Sequence, residues 1–551
     1  MINLKKYGIT PFGATPNQRQ LDHLDIAKKA FFHFGINTYN DAEWGTGREN
    51  IALFTPTELD TDQWIRVAKE AGFGLAIITA KHHDGFCLWP SAHTKQSVKY
   101  TSYKDGKGDI VGEFAASCRK YGVKMGVYIS PWDRNAPHWG SPDYNDYFVA
   151  QLTELLTQYG EIHEVWWDGA GSQDTPYDWE RWVATVRQLQ PKAALYGSLG
   201  SAEHVDLRWV GNERGFAGET HFASIDPVHL LVENPKVMNA GQVGERRYVP
   251  SETDVSIRPG WFYHERQNNA VKSAAELTKI WFRSVGRNSM LLLNFPPDRR
   301  GLVADEDAAN ALESHRIVQK MLSVNYADGA TVTTDSGLPV LTVTDDENGA
   351  TLDVRRGRVF DIRLEKPETI NVFITGELVD AGERITGFTL ESIDADGNAT
   401  LLYRGTSVGY NRAVQFETGE YSHLRFTVTE ALDEPLIKKF GLHFIEVLPE
   451  PTAQQRAGNL VEVTEFDAVK KRIIAAFGGI YSFNYVEFGT RKGEAYRVFA
   501  FNRLSDELIA EGVAESDVVT LSFDTLHEGS YQIKIVSECI DTDKTIVVKQ
   551  Q

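Results

Sequence analysis

The sequence predicts an α/β protein: a (β/α)8-type TIM barrel over residues 1–325, followed by C-terminal β-sandwich domains at 326–448 and 460–551. Three observations lead there. Continuous apolar runs such as GLAIITA (74–80), KMGVYIS (124–130) and SMLLLNF (289–295) are strands buried on both faces, as in a parallel sheet covered by helices. These runs alternate with amphipathic helical stretches and recur about eight times, the number that closes a parallel barrel. Beyond Val324 the texture changes to short alternating strands separated by Asp-Gly and Asn-Gly turns, the pattern of antiparallel sandwiches.

Taken in order, Ala30 to Ile36 (AFFHFGI) is the first strand, and Thr55-Pro56-Thr57 is expected to cap a helix running through Trp64 to Glu70. The second strand, Gly74 to Ala80, leads to a helix at Ile110 to Tyr121; the third, Lys124 to Ser130, leads to one at Tyr144 to Tyr159. The fourth lies in IHEVWWDGAG (Ile162 to Gly171) and stops at Asp168; a helix at Trp179 to Gln190 then ends before Pro191. Strands follow at Ala194 to Ser198 and Leu207 to Val210, and Gly260 to Tyr263 is taken as the seventh. Ser289 to Phe295 is the eighth, between helices Ala274 to Val285 and Asp305 to Leu322. Pro449, Pro451 and AQQRAG form a linker. The last unit is expected to hold one helix near Phe466 to Ala476 and strands at Ala495 to Asn502, Val518 to Phe523, Tyr531 to Val536 and Lys544 to Lys549.

With 57 basic and 76 acidic residues the formal charge is −19, and no basic patch offsets it, so nucleic acid and anionic membranes are disfavoured partners. The supply of 12 Trp, 21 Tyr and 28 Phe suits uncharged, hydroxyl-rich ligands. Cys87, Cys118 and Cys539 show neither CxxC nor regular spacing, so no disulfide framework or cysteine metal site is expected. Met1 to Gln20 has no apolar core of a signal, and no stretch is long enough to cross a bilayer.

In such a barrel the chemistry collects at the C-terminal strand ends. The residues there are His33, with Glu43 and Trp44 on its loop; Lys81, His82, His83 and Asp84; Tyr128, Trp132 and Asp133; Trp167 and Asp168; Glu213; and Arg258 with Trp261. Histidines, aromatic faces and separated carboxylates describe a carbohydrate pocket, in which rings stack on a pyranose while imidazoles and acids bind its hydroxyls. Breaking a glycosidic bond needs one carboxylate at the anomeric carbon and a protonated one at the leaving oxygen. Asp168, on a rigid strand, and Glu213, on a Gly-flanked loop, form the expected pair. A metal-dependent hydrolase built on His82, His83, Asp84, His33 and Asp168 is a second reading, although no H-x-x-x-H or H-x-H spacing organises it.

The strings HFGINTYNDAEWG (33–45), KHHDGF (81–86), GVYISPWDRN (126–135), EVWWDGA (164–170), RWVGNERG (208–215), DVSIRPGWFYH (254–264) and SVGRNSMLLLNFPPDRRG (284–301) together resemble glycoside hydrolase family 29, the α-L-fucosidases. They resemble most the branch acting on α-1,3- and α-1,4-linked fucose. The resemblance implies a retaining exo-fucosidase with Asp168 as nucleophile and Glu213 as acid/base; because the acid/base of that family is less uniformly placed than its nucleophile, Glu252 is the alternative. It places His33, Glu43, Trp44, His82, His83 and Tyr128 around the sugar, and implies a fucosylated glycan as substrate with no cofactor required. It also implies a periplasmic or extracellular setting if a signal has been removed, and a cytoplasmic one otherwise. Residues 356–448 resemble galactose-binding-like, discoidin-type sandwiches. The opposing reading is a sugar-binding protein whose chemistry has lapsed, against which the intact Asp168 and Glu213 argue.

Overall fold

The protein is described from a computed structural model, which covers residues 2–446 apart from 172–174, 198–200, 202, 232–233 and 347–348; beyond these it covers 460–461, 465–467, 472–475, 483–490, 492–502, 505–516, 518–527, 532–537 and 546–548. Eight parallel strands form the first unit: β1 Lys28–Phe32, β2 Leu75–Lys81, β3 Lys124–Ile129, β4 Glu164–Trp166, β5 Ala194–Tyr196, β6 Arg208–Trp209, β7 Ser251–Ser256 and β8 Met290–Asn294. Hydrogen bonding runs β5-β4-β3-β2-β1-β8-β7-β6. The ring closes where Tyr196 bridges Leu207 and the amides of Asp206 and Leu207 donate to the Leu195 carbonyl.

The helices of nine residues or more among the described residues are α1 Gln18–Ile26, α2 Thr61–Glu70, α3 Ile110–Tyr121, α4 Asp143–Gln158, α5 Trp179–Leu189, α6 Ala274–Arg283 and α7 Asp305–Leu322. Their ends follow local chemistry. The Asp109 carboxylate accepts the Gly112 amide at the start of α3, Gly122 ends it in the left-handed conformation at φ 65°, and Ser273 with Glu276 forms a capping box on α6. α1 precedes the barrel and packs Leu21 and Leu24 into its interior; the sequence reading had no helix there.

Side chains alternate strictly along the strands. Ala30, Phe32, Ile78, Val127, Val165, Trp167 and Leu293 face the helix layer, whereas Phe31, Ile77, Tyr128, Trp166, Tyr196 and Leu292 fill the barrel. This packed interior is the floor on which the site stands.

Three expectations are corrected. The seventh strand is Ser251–Ser256 and not Gly260 to Tyr263, which is a loop. Its sequence SETDVS lacks an apolar run because its inward face carries Glu252, Asp254 and Ser256. The cap of α2 is Asp60, whose carboxylate accepts the Asp62 and Gln63 amides, rather than the Thr55-Pro56-Thr57 stretch. The expected helix near Phe466 to Ala476 is instead a pair of antiparallel strands, Glu465–Asp467 and Arg472–Ala475, the second also paired with Gln532–Ser537. Phe466, Val469 and Ile473 fit a helical period, but so short an apolar pattern is ambiguous and a neighbouring strand decides it.

Residues Thr331 to His443 form an eight-stranded antiparallel sheet. Its two long strands, Val359–Glu377 and Arg412–Ala431, pair over most of their length with register shifts, and the sheet buries Phe360, Phe373, Phe388 and Phe426. The described residues beyond 459 make two more antiparallel sheets of four and five strands, including Ala495–Asn502, Val518–His527 and Ile546–Val548. Cys87 and Cys118 are buried and unpaired, and Cys539 lies outside the described residues. No helix among the described residues is long and apolar enough to cross a membrane.

One carboxylate fastens the barrel to this sheet. Glu383, buried, accepts the amides of Ala223 and Ser224, the Ser224 hydroxyl and the Asn288 side-chain amide. Glu383→Ala strands these donors away from water, at about 1–3 kcal/mol for each that finds no new partner. Thermal unfolding of this variant should therefore begin several degrees below wild type, with Glu383→Gln, which keeps one acceptor, falling between the two; an unchanged melting profile for Glu383→Ala would show that the contact is not structural.

Candidate active site

The C-terminal ends of the strands surround a cavity of about 190 Å³ lined by His33, Glu43, Trp44, His82, His83, Tyr128, Asp168, Glu213 and Trp261. Its volume lies below the ~300–1,000 Å³ usual for drug-sized ligands and suits a single sugar ring. The floor and walls add Phe31, Trp166, Gly169, Ala170, Tyr196, Trp209 and Asp254.

Asp168 follows β4 on the inward side, in phase with Glu164 and Trp166. The Tyr128 hydroxyl donates to its Oδ2 at 3.0 Å, and the Ala170 amide donates to its Oδ1 at 2.8 Å. The carboxylate is thus aimed while 27 % of its side chain stays open to the cavity. Burial, reinforced by the Asp168 charge, pushes the Tyr128 phenol well up, so it remains a donor. Gly171 has φ +69° and a Cβ there would meet the Trp132 ring at 2.4 Å, so the turn after Asp168 requires glycine.

The histidines are neutral and their orientations follow from their partners. Asn294 donates its Nδ2 to Ser256 Oγ and the Trp261 carbonyl, which turns its Oδ1 to accept His33 Nδ1 at 2.9 Å. His33 therefore offers an Nε2 lone pair to the cavity, and burial lowers its pKa to about 3. Ser130 donates to the Trp132 carbonyl and so accepts from His83 Nδ1 at 2.7 Å. His83 Nε2 then lies 3.6 Å from Asp168 Oδ2, and burial holds the ring below its ordinary pKa despite that charge. His82 stacks on Tyr128 at 5.7 Å and burial, with His83 beside it, lowers its pKa well below the usual range.

Glu213 faces this array from the loop after β6 and accepts Trp261 Nε1 at 3.3 Å. Burial first, and then the charges of Asp254, Asp168 and Glu43, push its pKa well up, which favours the protonated form a general acid needs. Asp254, in turn, accepts Trp209 Nε1 at 2.9 Å and is raised by burial. Glu43 accepts the amides of Trp261 and Phe262 and His264 Nε2 at 2.6 Å, and His264 Nδ1 contacts Asp41 at 2.6 Å. Burial opposes the charge on His264, but these two carboxylates overcome it and raise its pKa. Glu43 thus fixes the Trp261 loop with three of its roughly four acceptor positions and keeps one for a ligand.

Seven nominated residues do not line the cavity; of these, Lys81 and Asp84 are buried at 0 % and 2 % exposure. Trp167 is in the wrong phase: it is 1 % exposed and packs on Trp179 and Trp182 in the helix layer, and its neighbour Trp166 takes the floor. Asp133 is buried against Lys81 and caps Asn135 and Ala136. Arg258 is clamped by Asp307 and Asn268. Trp132 stands behind Trp44 and His83. Glu252 lies beneath the floor, fully buried, where it accepts Lys29 Nζ and Trp166 Nε1. Lys29 also reaches Glu164 at 2.9 Å, and His23 Nδ1 is 3.5 Å from the same carboxylate. His23, Glu164 and Glu252 make the group with metal-ligand spacing among the described residues, but the Lys29 ammonium stands between its two acids.

The profile of the family described as Alpha-L-fucosidase matches residues 19–315, which hold all eight strands of this barrel. The chain is 37 % identical over 451 residues to Alpha-L-fucosidase 1 of Arabidopsis thaliana, covering 79 % of this chain and 88 % of that protein. A crystal structure of a glycoside hydrolase 29 family member from an unknown rumen bacterium superposes with a TM-score of 0.77 at 33 % identity, covering 98 % of this chain and all of that one. The GH29 fucosidase of Ruminococcus gnavus, solved in complex with fucose, gives a TM-score of 0.71 at 28 % identity, covering 80 % of this chain and 96 % of that one. The barrel, its carboxylate-and-histidine pocket and these similarities agree: the chain belongs to the alpha-L-fucosidase family and is a glycoside hydrolase.

Proposed function

We propose that this protein is a retaining exo-α-L-fucosidase that releases α-1,3- or α-1,4-linked fucose from branched oligosaccharides, with Asp168 as nucleophile and Glu213 as acid/base. The observation that supports this most is the pairing of an aimed carboxylate, held by Tyr128 and Ala170, with a second carboxyl in the same cavity whose pKa burial pushes well up. Asp168 attacks the anomeric carbon as the glycosidic C–O bond breaks and the Glu213 proton passes to the leaving oxygen. Glu213, now a carboxylate, takes a proton from water, whose oxygen displaces Asp168 and regenerates the acid. The Nε2 atoms of His33 and His83 accept sugar hydroxyls, and the rings of Phe31, Tyr196, Trp209 and Trp261 form the apolar wall that a 6-deoxy sugar requires. No cofactor enters these steps. The choice of linkage rests on the resemblance of the barrel motifs to the branch acting on α-1,3- and α-1,4-linked fucose.

Asp168→Gly should lower turnover of a nitrophenyl α-L-fucoside by at least about a thousandfold and recover it with azide as external nucleophile. Proton NMR of the wild-type reaction should show α-L-fucose as the first anomer; β-L-fucose appearing first would refute double displacement.

Glu213 must be protonated to act, so activity on an oligosaccharide should fall as pH rises through its raised pKa, a limb lying above the ordinary carboxylate range. Glu213→Ala should cost about 10²–10⁴-fold with a sugar leaving group and far less with a nitrophenolate, which departs without a proton. Glu252→Ala should lower both substrates alike, since its carboxylate holds the floor; leaving-group dependence in that variant instead would move the acid role away from Glu213.

A further inference from the structure

The two tryptophans exposed by more than a third among the twelve in the chain, Trp44 at 54 % and Trp139 at 37 %, belong to one strip of rings at the pocket mouth. Trp44 forms part of the pocket wall and meets Trp132 edge-on at 5.6 Å; Trp132 meets Trp139 at 6.5 Å; and Trp139 Nε1 donates to the Tyr177 hydroxyl at 3.1 Å. The strip begins beside the turn that carries Asp168, because Trp132 lies against Gly171.

The support beneath it is rigid and polar. Arg134 Nη1 donates to the Gly45 carbonyl at 2.6 Å while its guanidinium lies 5.2 Å from the Trp132 ring. Asn135 Nδ2 donates to the Gly47 carbonyl at 2.8 Å, and Asp133, pinned by Lys81, caps the turn of Asn135 and Ala136. The loops after β1 and β3 are thereby tied together. Trp139 is fixed at its indole N–H but presents its ring to solvent, an arrangement that ordinary core packing does not need.

We infer that Trp139, reached from the pocket through Trp44 and Trp132, is a stacking platform for the leaving-group side of the substrate, receiving the apolar face of a neutral hexopyranose ring beyond the cleaved bond. This rests on the fucosidase reading of the pocket. Continuity with the pocket wall identifies the occupant: a sugar held with its anomeric carbon at Asp168 must send its aglycone out through the mouth that these rings border. Trp139 itself offers a ring face and an already engaged N–H, which fits an uncharged ring.

The test compares Trp139→Ala and Trp139→Phe on two substrates, a nitrophenyl α-L-fucoside and a fucosylated tetra- or pentasaccharide. Trp139 lies outside the fucose cavity, so wild-type turnover of the nitrophenyl compound tests the pocket reading by itself. Trp139→Ala should raise KM for the oligosaccharide about three- to tenfold, the range one aromatic stacking contact supplies, with kcat little changed. Trp139→Phe should recover most of that loss, and inhibition by the defucosylated oligosaccharide should weaken in parallel. Equal losses on both substrates would mean a structural role, and an unchanged KM for the oligosaccharide would mean an unused surface; either overturns the inference.

Discussion

The interior of this barrel depends on one buried ammonium. Lys29 Nζ, without solvent exposure, lies between the carboxylates of Glu164 and Glu252 at the base of the strands. Burial disfavours charge on all three, and a lone Lys or a lone Glu here would lose its charge or unfold the barrel. Together they are tolerable: the two acids raise the Lys29 pKa against its burial, while burial and the charge of Glu252 push Glu164 well up. Glu252 is then available to accept Trp166 Nε1 at 3.1 Å. Trp166 stacks on Tyr196 at 3.9 Å and on Tyr128 at 5.4 Å, and Tyr128 donates to Asp168. A chain of contacts therefore runs from the ion cluster through an aromatic floor to the carboxylate at the centre of the pocket.

That floor also sets the electrostatics above it. By excluding water beneath the site it removes the solvent that would otherwise stabilise charged imidazoles and carboxylates. His33, His82 and His83 respond by remaining neutral, which makes them acceptors for hydroxyls rather than cations competing for Asp168. The same burial pushes the Glu213 and Asp254 carboxyls well up from the ordinary carboxylate range. Asp168 receives two directed hydrogen bonds and keeps an opening to the cavity. Similar side chains thus acquire different roles from burial and hydrogen bonding, with no unusual chemistry in the residues themselves.

Much of this was legible in the sequence where apolar runs are continuous. β2, β3 and β8 and the helices α3 and α7 fall at or within a residue or two of the expected positions, because both-sided burial leaves an unbroken run and caps mark helix ends. β7 was hidden for the opposite reason: its inward positions carry Glu252, Asp254 and Ser256, so the strand that contributes most polar groups to the interior is the one least like a strand. The same oversight lost Asp254 from the pocket. Trp167 was a phase error, since the alternation that sends Asp168 inward must send its neighbour out and bring Trp166 in. Arg258 and Asp133 sit at strand ends like true ligand contacts, but their partners, Asp307 on α7 and Lys81 on β2, are distant in sequence and appear only when the barrel closes.

The rim of the pocket is held by a different physics from its floor. Glu43 joins the loop after β1 to the loop after β7 through two backbone amides and His264, and Asp41 extends the same contact to Arg266 at 2.5 Å. Arg134 and Asn135 join the β1 loop to the β3 loop through carbonyls of Gly45 and Gly47. These are directional, mostly charge-assisted bonds, which fix distance and angle where apolar packing would fix only proximity. Two of the donors to Glu43 are backbone amides of Trp261 and Phe262, so the carboxylate sets the position of the Trp261 indole and, through its Nε1, of Glu213. The loops can therefore differ widely in sequence from their relatives and still present an aromatic mouth and a placed acid, provided this small set of polar links is kept.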